Sequence, residues 1–378
     1  MNRIEINSGG SLIEVLKNAP STAFPNFGSK SYFEKYIELD KHFAEYPVEM
    51  GAMKSEIENS ISEMMHQLKT IMLIRDEKER VSKAEELFKM IDPVIFLNKH
   101  GPEHTAKVCD RAFDILKCFS HDNLNYYELF FLLCSISVHD VGNMYGRHGH
   151  EKQIKSMVEV GCKDLLDNVE LQRVSQIAGV HGGKINDAPD TISHVKVIEK
   201  IHNIAIREQL ISAVLRFADE LADDYTRANY SALKAGTLGA SEMFHVYSSK
   251  LHTVSIDQNP ITSAWEISLG YEFDDITAQR KFQKIHQEDY LLNEIYKRTV
   301  KMEQERRYCM RYMRPFCSID RINVEIVIDD SQNSFVQYPI KYTLEEKGYP
   351  IVTVDDIKKD NTMILSGEEM ANKLGAIR

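Results

Sequence analysis

"YYELFFLLCSISVHDVGNMYGRHGHE", Tyr126 to Glu151, is the stretch on which the fold turns. Its first half, Tyr126 to Val138, is apolar almost all round, the composition of a helix buried on every side. Its second half then sets down His139, Asp140, His148, His150 and Glu151 in quick succession. Polar groups at the end of a buried helix need hydrogen-bond partners or a metal ion, because uncompensated desolvation is costly. His139 and Asp140 fall where the helix should end, with Gly142 placed to terminate it. At a helix end adjacent side chains can aim at one ion, whereas in a helix interior they diverge. A capped helix with a surface His-Asp pair is the plainer alternative.

Working outward, "GPEHTAKVCDRAFDIL" places His104, Val108, Arg111 or Ala112, and Ile115 on one face at helical spacing, so His104 points inward. A lone inward histidine is more often a satisfied core residue than a ligand. Downstream, "REQLISAVLRFADELADDY" carries Ile211, Leu215 and Asp219 at intervals of four, which puts a carboxylate on the inner stripe. A buried carboxylate needs a cation, and Arg216, three residues earlier, could supply one. Together His104, His139, Asp140 and Asp219 offer two imidazoles and two carboxylates from three buried helices. Such nitrogen-and-oxygen sets suit a divalent ion among Mn, Fe, Co, Ni, Zn and Mg, with positions left for water and substrate.

The order H…HD…D, with the HD after an apolar helix and the last Asp inside "RFADELAD", resembles the HD-domain superfamily of metal-dependent phosphohydrolases across roughly residues 100 to 225. The resemblance implies that His104, His139, Asp140 and Asp219 are metal ligands of an all-helical core. The stretch after the HD looks most like the dNTP triphosphohydrolase branch, with "HDVGN", His148 and "HEKQIKS" in the corresponding places. Asn143 stands where that branch usually has histidine. His148 and His150 become candidates for general acid, phosphate contact or second-metal ligand. His181, in "IAGVHGGK", joins them, since related two-metal HD proteins place histidines in this interval. Gly182 and Gly183 would let backbone approach a phosphate closely. Each of these three histidines could alternatively be a plain loop residue.

The bulk numbers fit an ordinary globular chain: 378 residues, 43% hydrophobic and 27% charged. A net charge of −11 argues against a general nucleic-acid surface and against extended duplex substrates, whose binding rests on many phosphate contacts. The six cysteines form no CxxC pair, so we expect reduced thiols and a cytoplasmic location. "MNRIEINSGG" does not read as a signal peptide, and no apolar run reaches membrane-spanning length. There is no P-loop, GxSxG or GxGxxG, and no nucleophile-type cysteine beside a histidine.

The expected fold is mostly α: a helical extension over residues 1–95, an all-helical HD-type metal-binding core over 96–230, and a smaller α+β appendage over 231–378. In the appendage "AWEISLGYEF" alternates at period two and reads as a strand, with "FHVYSSKLHTVSI" as its hairpin partner. A helix follows from about His286 to Arg314. "INVEIVI", "YPIKYTL" and "YPIVTV" complete a small β element. His245, His252 and His286 read as ordinary polar positions.

The helix from Lys297 is locally basic, with Tyr308 and Tyr312 interleaved as stacking surfaces. Arg307 and Arg311 lie at one-turn spacing and are candidates for holding substrate or effector phosphates. A solvated face paired with acids elsewhere is the alternative. The expectation is therefore a phosphohydrolase whose substrate is a nucleotide, with a nucleotide effector and a homo-oligomer both admissible. The rivals are a nuclease or cyclic-nucleotide phosphodiesterase on the same core, and a regulatory protein that binds a nucleotide without turnover.

Overall fold

The apolar stretch of Tyr126–Val138 is buried throughout except at its first residue. Its start is set by Asn125, whose side chain accepts hydrogen bonds from the backbone of Tyr127 at 3.0 Å and Glu128 at 2.9 Å. Glu128 returns the favour by accepting from the Asn125 amide at 2.7 Å, a complete capping box. Helices of the N-terminal and central stretches pack around it.

The computed structural model describes residues 3–6, 10–26, 28–46, 48–89, 100–145, 149–284, 287–333, 335–346, 353–360 and 364–376. The N-terminal segment contributes α1 (Leu12–Lys17), α2 (Tyr32–Ala44), α3 (Val48–Met72) and α4 (Glu77–Lys89). The centre is built from α5 (Pro102–Lys117), α6 (Tyr126–Val138), α7 (Ile154–Cys162), α8 (Asn168–Gly179) and α9 (Glu208–Leu221). Helices α2, α8 and α9 pack against α6, and α5 packs against α9. This centre is not wholly helical. Two short antiparallel strands, β1 (Glu199–Ile201) and β2 (Ile204–Ile206), interrupt it between α8 and α9. His202 (φ 50°) and Asn203 (φ 68°) make their turn in the left-handed region that a tight hairpin requires.

Helices α10 (Tyr230–Ala235) and α11 (Glu242–Lys250) lead into strands β3 (Leu251–Gln258) and β4 (Trp265–Asp274). The expected strand partner "FHVYSSKLHTVSI" is therefore half helix: Phe244 to Lys250 belong to α11, and pairing begins at Leu251. Then come α12 (Asp275–Gln279), the small hairpin β5 (Lys281–Gln283) and β6 (Glu288–Tyr290), α13 (Leu291–Met313), β7 (Ile319–Asp329) and β8 (Gln337–Glu345). The main sheet has the order β3-β4-β7-β8, antiparallel except for β4 and β7. Parallel neighbours need a long crossover, and α12 through α13 supply it. Ile267, Leu269, Tyr271 and Phe273 alternate inward in β4, in register with Ile322, Val324, Ile326 and Ile328 of β7. Helices α11 and α13 cover that face. Tyr247 of α11 and Tyr271 share a hydrogen bond of 3.0 Å, and Thr299 of α13 and Tyr342 share one of 2.8 Å.

Of "YPIVTV", residues 349–352 lie outside the described residues, and Val354 already begins α14 (Val354–Asp360). The chain closes with α15 (Gly367–Ala376). His286 lies outside the described residues, whereas His245 is fully buried and its Nδ1 accepts from the Asn229 amide at 3.2 Å. One apolar cluster runs from α1 to α15, joining all three stretches of chain. All six cysteines are buried free thiols. Among the described residues no helix is long and apolar enough to cross a membrane.

Candidate metal centre

The first four side chains of the site are each delivered by a helix or by the residue just after one. His104 rises from the first turn of α5, after Pro102 at the helix start, and is buried with Val108, Ala112 and Ile115. His139 is the C-terminal cap of α6, and Asp140 follows it. Asp219 comes from the last turn of α9. The structure brings these four together, with candidate ligand atoms all within 4.8 Å of one another. His104 Nε2 lies 3.0 Å from Asp219 Oδ1 and 3.5 Å from Asp140 Oδ2. His139 Nε2 lies 3.4 Å from Asp140 Oδ2 and 3.5 Å from Asp219 Oδ1. The Asp219 side chain is 26% exposed against 0–8% for the other three, so the cluster opens to solvent on that side.

A second set shares Asp140 through its other oxygen. His150 Nε2 is 3.5 Å and His181 Nε2 4.0 Å from Asp140 Oδ1, and the two imidazoles are 3.2 Å apart. His150 opens a single 3₁₀ turn after Gly149 (φ 71°), and His181 follows the end of α8. His148 lies outside the described residues.

Gly142 does not end α6 in the left-handed conformation. It sits in the 3₁₀ turn Val141–Tyr145, and a Cβ there would stand 2.0 Å from the His150 carbonyl oxygen. Its function is close approach: two backbone segments touch so that both halves of the site can reach Asp140.

Two of the rings are aimed by their own helices. His139 Nδ1 donates to the Ile136 carbonyl at 2.7 Å and His181 Nδ1 to the Ala178 carbonyl at 2.6 Å. Each bond leaves Nε2 facing the cluster, the arrangement by which backbone carbonyls orient metal-binding imidazoles. Among the described residues, buried His139 Nε2 has no hydrogen-bond partner. An orphaned, aimed ring nitrogen between two carboxylates fits a divalent cation.

The electrostatics demand the same charge. Burial opposes ionisation of Asp140 and Asp219, yet the neighbouring histidines outweigh it and hold both carboxyls well below their usual range. Burial likewise opposes a charged His139, and Asp140 and Asp219 overcome it and raise the ring well above its usual value. His181, farther from the carboxylates, is driven down to about 3 by burial. The centre thus gathers positive charge at the point where the ligand atoms converge.

Three participants carry no periodic signal: His100 and Arg227 had no place in the sequence reading, and Asn143 entered it only as the residue standing where a related branch has histidine. His100 precedes α5, with its Nδ1 2.8 Å from Asp140 Oδ2. Burial brings His100 down to about 3, so the neutral ring donates to the carboxylate. Asn143 donates to Asp140 Oδ1 at 2.7 Å. Arg227, in the 3₁₀ turn after α9, lays a guanidinium nitrogen 2.8 Å from His100 Nδ1 and 3.2 Å from Nε2. The only textual hint of His100 was a histidine in "KHGPEH", outside any helix.

Arg216 does not serve Asp219. It binds Glu305 of α13 with two hydrogen bonds, at 2.7 and 2.8 Å. The basic helix α13 is likewise engaged with acids of this chain: Arg307 lies 3.8 Å from Glu346, and Arg311 donates to Asp190 at 3.0 Å.

The family model of HD-CE matches residues 92–301, more than half of the chain. The chain belongs to the HD-CE family. That match contains every described side chain of the centre, from His100 to Arg227, and runs on through β3 and β4 into the first half of α13. No curated protein and no solved structure matches the chain. As an HD-CE protein it carries an HD-type domain whose buried His/Asp cluster can bind a divalent metal.

Proposed function

We propose that this HD-CE protein is a metal-dependent phosphohydrolase acting on a nucleotide, with a (deoxy)nucleoside triphosphate as the first substrate class to test. The observation that carries the reading is Asp140: one oxygen faces His104, His139 and Asp219, and the other faces His150 and His181. His104, His139, Asp140 and Asp219 would hold one ion, and Asp140, His150 and His181 a second. A divalent ion so held supplies Lewis acidity toward phosphoryl oxygens and lowers the pKa of a water to near neutrality.

The remaining work falls to the protein's own groups. Ile136 and Ala178 fix the tautomers of His139 and His181 through their carbonyls. His100 and Asn143 hold the Asp140 carboxylate at both oxygens, keeping it in one orientation. Arg227, laid against His100 beside the cluster, would be the nearest guanidinium to a substrate phosphate held there, and Arg307 and Arg311 lie farther off on α13, beside Glu346 and Asp190. His148 or His150 would protonate the leaving oxygen or steady the developing charge. Asn143, which stands where the dNTP triphosphohydrolase branch has histidine, holds Asp140 here, so a cyclic nucleotide or phosphodiester is the second reading to test.

The deciding experiment is a panel of dNTPs, NTPs, NMPs, cyclic nucleotides and a short single strand, assayed with Mg, Mn, Co and Ni. Turnover of one class by the native chain and none by Asp140→Asn, with the fold intact, supports the reading. A metal-loaded protein that binds nucleotide yet turns over nothing on the panel would instead be a nucleotide-sensing module.

A further inference from the structure

The segment between α8 and β1 carries His181 to the centre, and one carboxylate in it receives an unusual convergence of donors from α13. Tyr308 and Tyr312 donate their hydroxyls to Asp190 Oδ1 at 2.9 and 2.7 Å, and Arg311 donates to Oδ2 at 3.0 Å. The Tyr308 hydroxyl also accepts from the Ile192 amide at 3.0 Å. Next to Asp190, buried Thr191 accepts from Arg216 at 3.0 Å and donates to the Val180 carbonyl at 2.8 Å, one residue before His181. Arg216 is itself fixed by Glu305 and lies over the Tyr308 ring, 4.6 Å from its centroid. At the far side of the same segment Gly183 (φ 68°) comes so close to Glu151 that a Cβ would stand 2.4 Å from its carboxylate oxygen. Glu151 in turn lies 3.4 Å from His150.

We propose that Asp190, gripped by Tyr308, Tyr312 and Arg311, is a clasp by which α13 holds the His181 segment in register with Asp140, so that the C-terminal half of the chain sets the competence of the second ion position. The clasp rests on the two-ion reading above. Asp190 is a positioning residue: it acts through Thr191, Val180 and the backbone of His181, and its effect falls on one half of the centre. His104, His139 and Asp219 are delivered by α5, α6 and α9 without it. The interleaved Tyr308 and Tyr312, together with Arg311, thereby gain a task that does not involve phosphate.

The test titrates Mn(II) into the full-length wild type and into Asp190→Ala, Asp190→Asn and the double variant Tyr308→Phe/Tyr312→Phe. Isothermal titration calorimetry gives stoichiometry and affinity, electron paramagnetic resonance reports a coupled Mn pair, and thermal melts follow the fold. The wild type should bind two ions per chain. In Asp190→Ala and in the double variant the tighter ion should stay within twofold of wild type, while the second weakens tenfold or more and the coupled signal is lost. Asp190→Asn keeps the Oδ1 acceptor for both tyrosines and should bind the second ion within threefold of wild type. A second ion bound by Asp190→Ala at wild-type affinity overturns the clasp and leaves the centre untouched. Parallel weakening of both ions overturns it too, since that is the signature of a general brace. A wild type that binds one ion removes the two-ion reading and the clasp with it, and one that binds none removes the metal centre itself.

Discussion

At the scale of single residues, the chemistry depends on how tightly one carboxylate is held. Asp140 is the shared member of both histidine sets, and His100 is the closest ring to it, at 2.8 Å. Groups that orient a metal-binding carboxylate typically account for about ten- to a hundredfold in affinity. His100→Ala is therefore expected to weaken Mn(II) binding by about that factor, measured by calorimetry, with His100→Gln recovering part of it through its own amide donor. Gly142 is the other residue without latitude. Its missing Cβ would meet a backbone oxygen at 2.0 Å, and a backbone atom cannot rotate aside. Gly142→Ala should cost about 1–3 kcal/mol in urea unfolding and push His150 away from Asp140.

At the scale of elements, the helices are positioned by buried polar contacts at their ends, and the connecting segments by individual side chains. The Asp190 clasp is the clearest case, and it carries a pH signature. Partial burial pushes the Asp190 carboxyl up, but the hydroxyls of Tyr312 and Tyr308 and the charge of Arg311 outweigh it and hold it below the usual carboxylate range. A folded-state pKa lowered in this way contributes stability that is present above the unfolded value, about 3.9, and lost as pH falls through the folded one. The gap in melting temperature between wild type and Asp190→Asn should therefore be constant from pH 5 to 7 and shrink below about pH 4. A gap that widened in acid would contradict this assignment of charge.

At the scale of the whole molecule, a few buried ionic joints tie the layers together. Arg207, just before α9, binds Glu128 of α6 through Nε at 2.8 Å and Nη2 at 2.6 Å, while its backbone amide donates to the same carboxylate at 2.9 Å. Removing one partner of a buried pair leaves an uncompensated charge, at a cost of about 3–5 kcal/mol. Glu128→Ala should lower the unfolding free energy by that amount, also breaking the capping box of α6, whereas Lys54→Ala, in an exposed pair with Glu58, should change it little. The N-terminal segment is joined by a similar device: Tyr32 of α2 and Tyr127 of α6 both donate to Glu170 of α8 at 2.7 Å. Truncation of α2 would therefore expose Glu170 and the aromatic core around Phe130, and should unfold the centre with it.

Helical and strand periodicity by itself placed His104 and Asp219 on inward stripes, marked Tyr126–Val138 as a buried helix ending at His139 and Asp140, and picked out β4 and β7 from their alternation. These are local properties, because one face of a helix or strand is written at fixed spacing in the chain. The hairpin at Glu199–Ile206 escaped because strands this short carry too little alternation to register. His100 and Arg227 escaped, and Asn143 was noted without its task of holding Asp140, because all three lie outside periodic segments and nothing in the spacing says where they point. The partners of the charged residues belong wholly to tertiary structure. Arg216 stands one turn from Asp219 yet reaches across to Glu305, and Arg311 of the basic helix meets Asp190, 121 positions away. Charge reveals that a partner must exist, and only the packing of α9, α13 and the His181 segment decides which one it is.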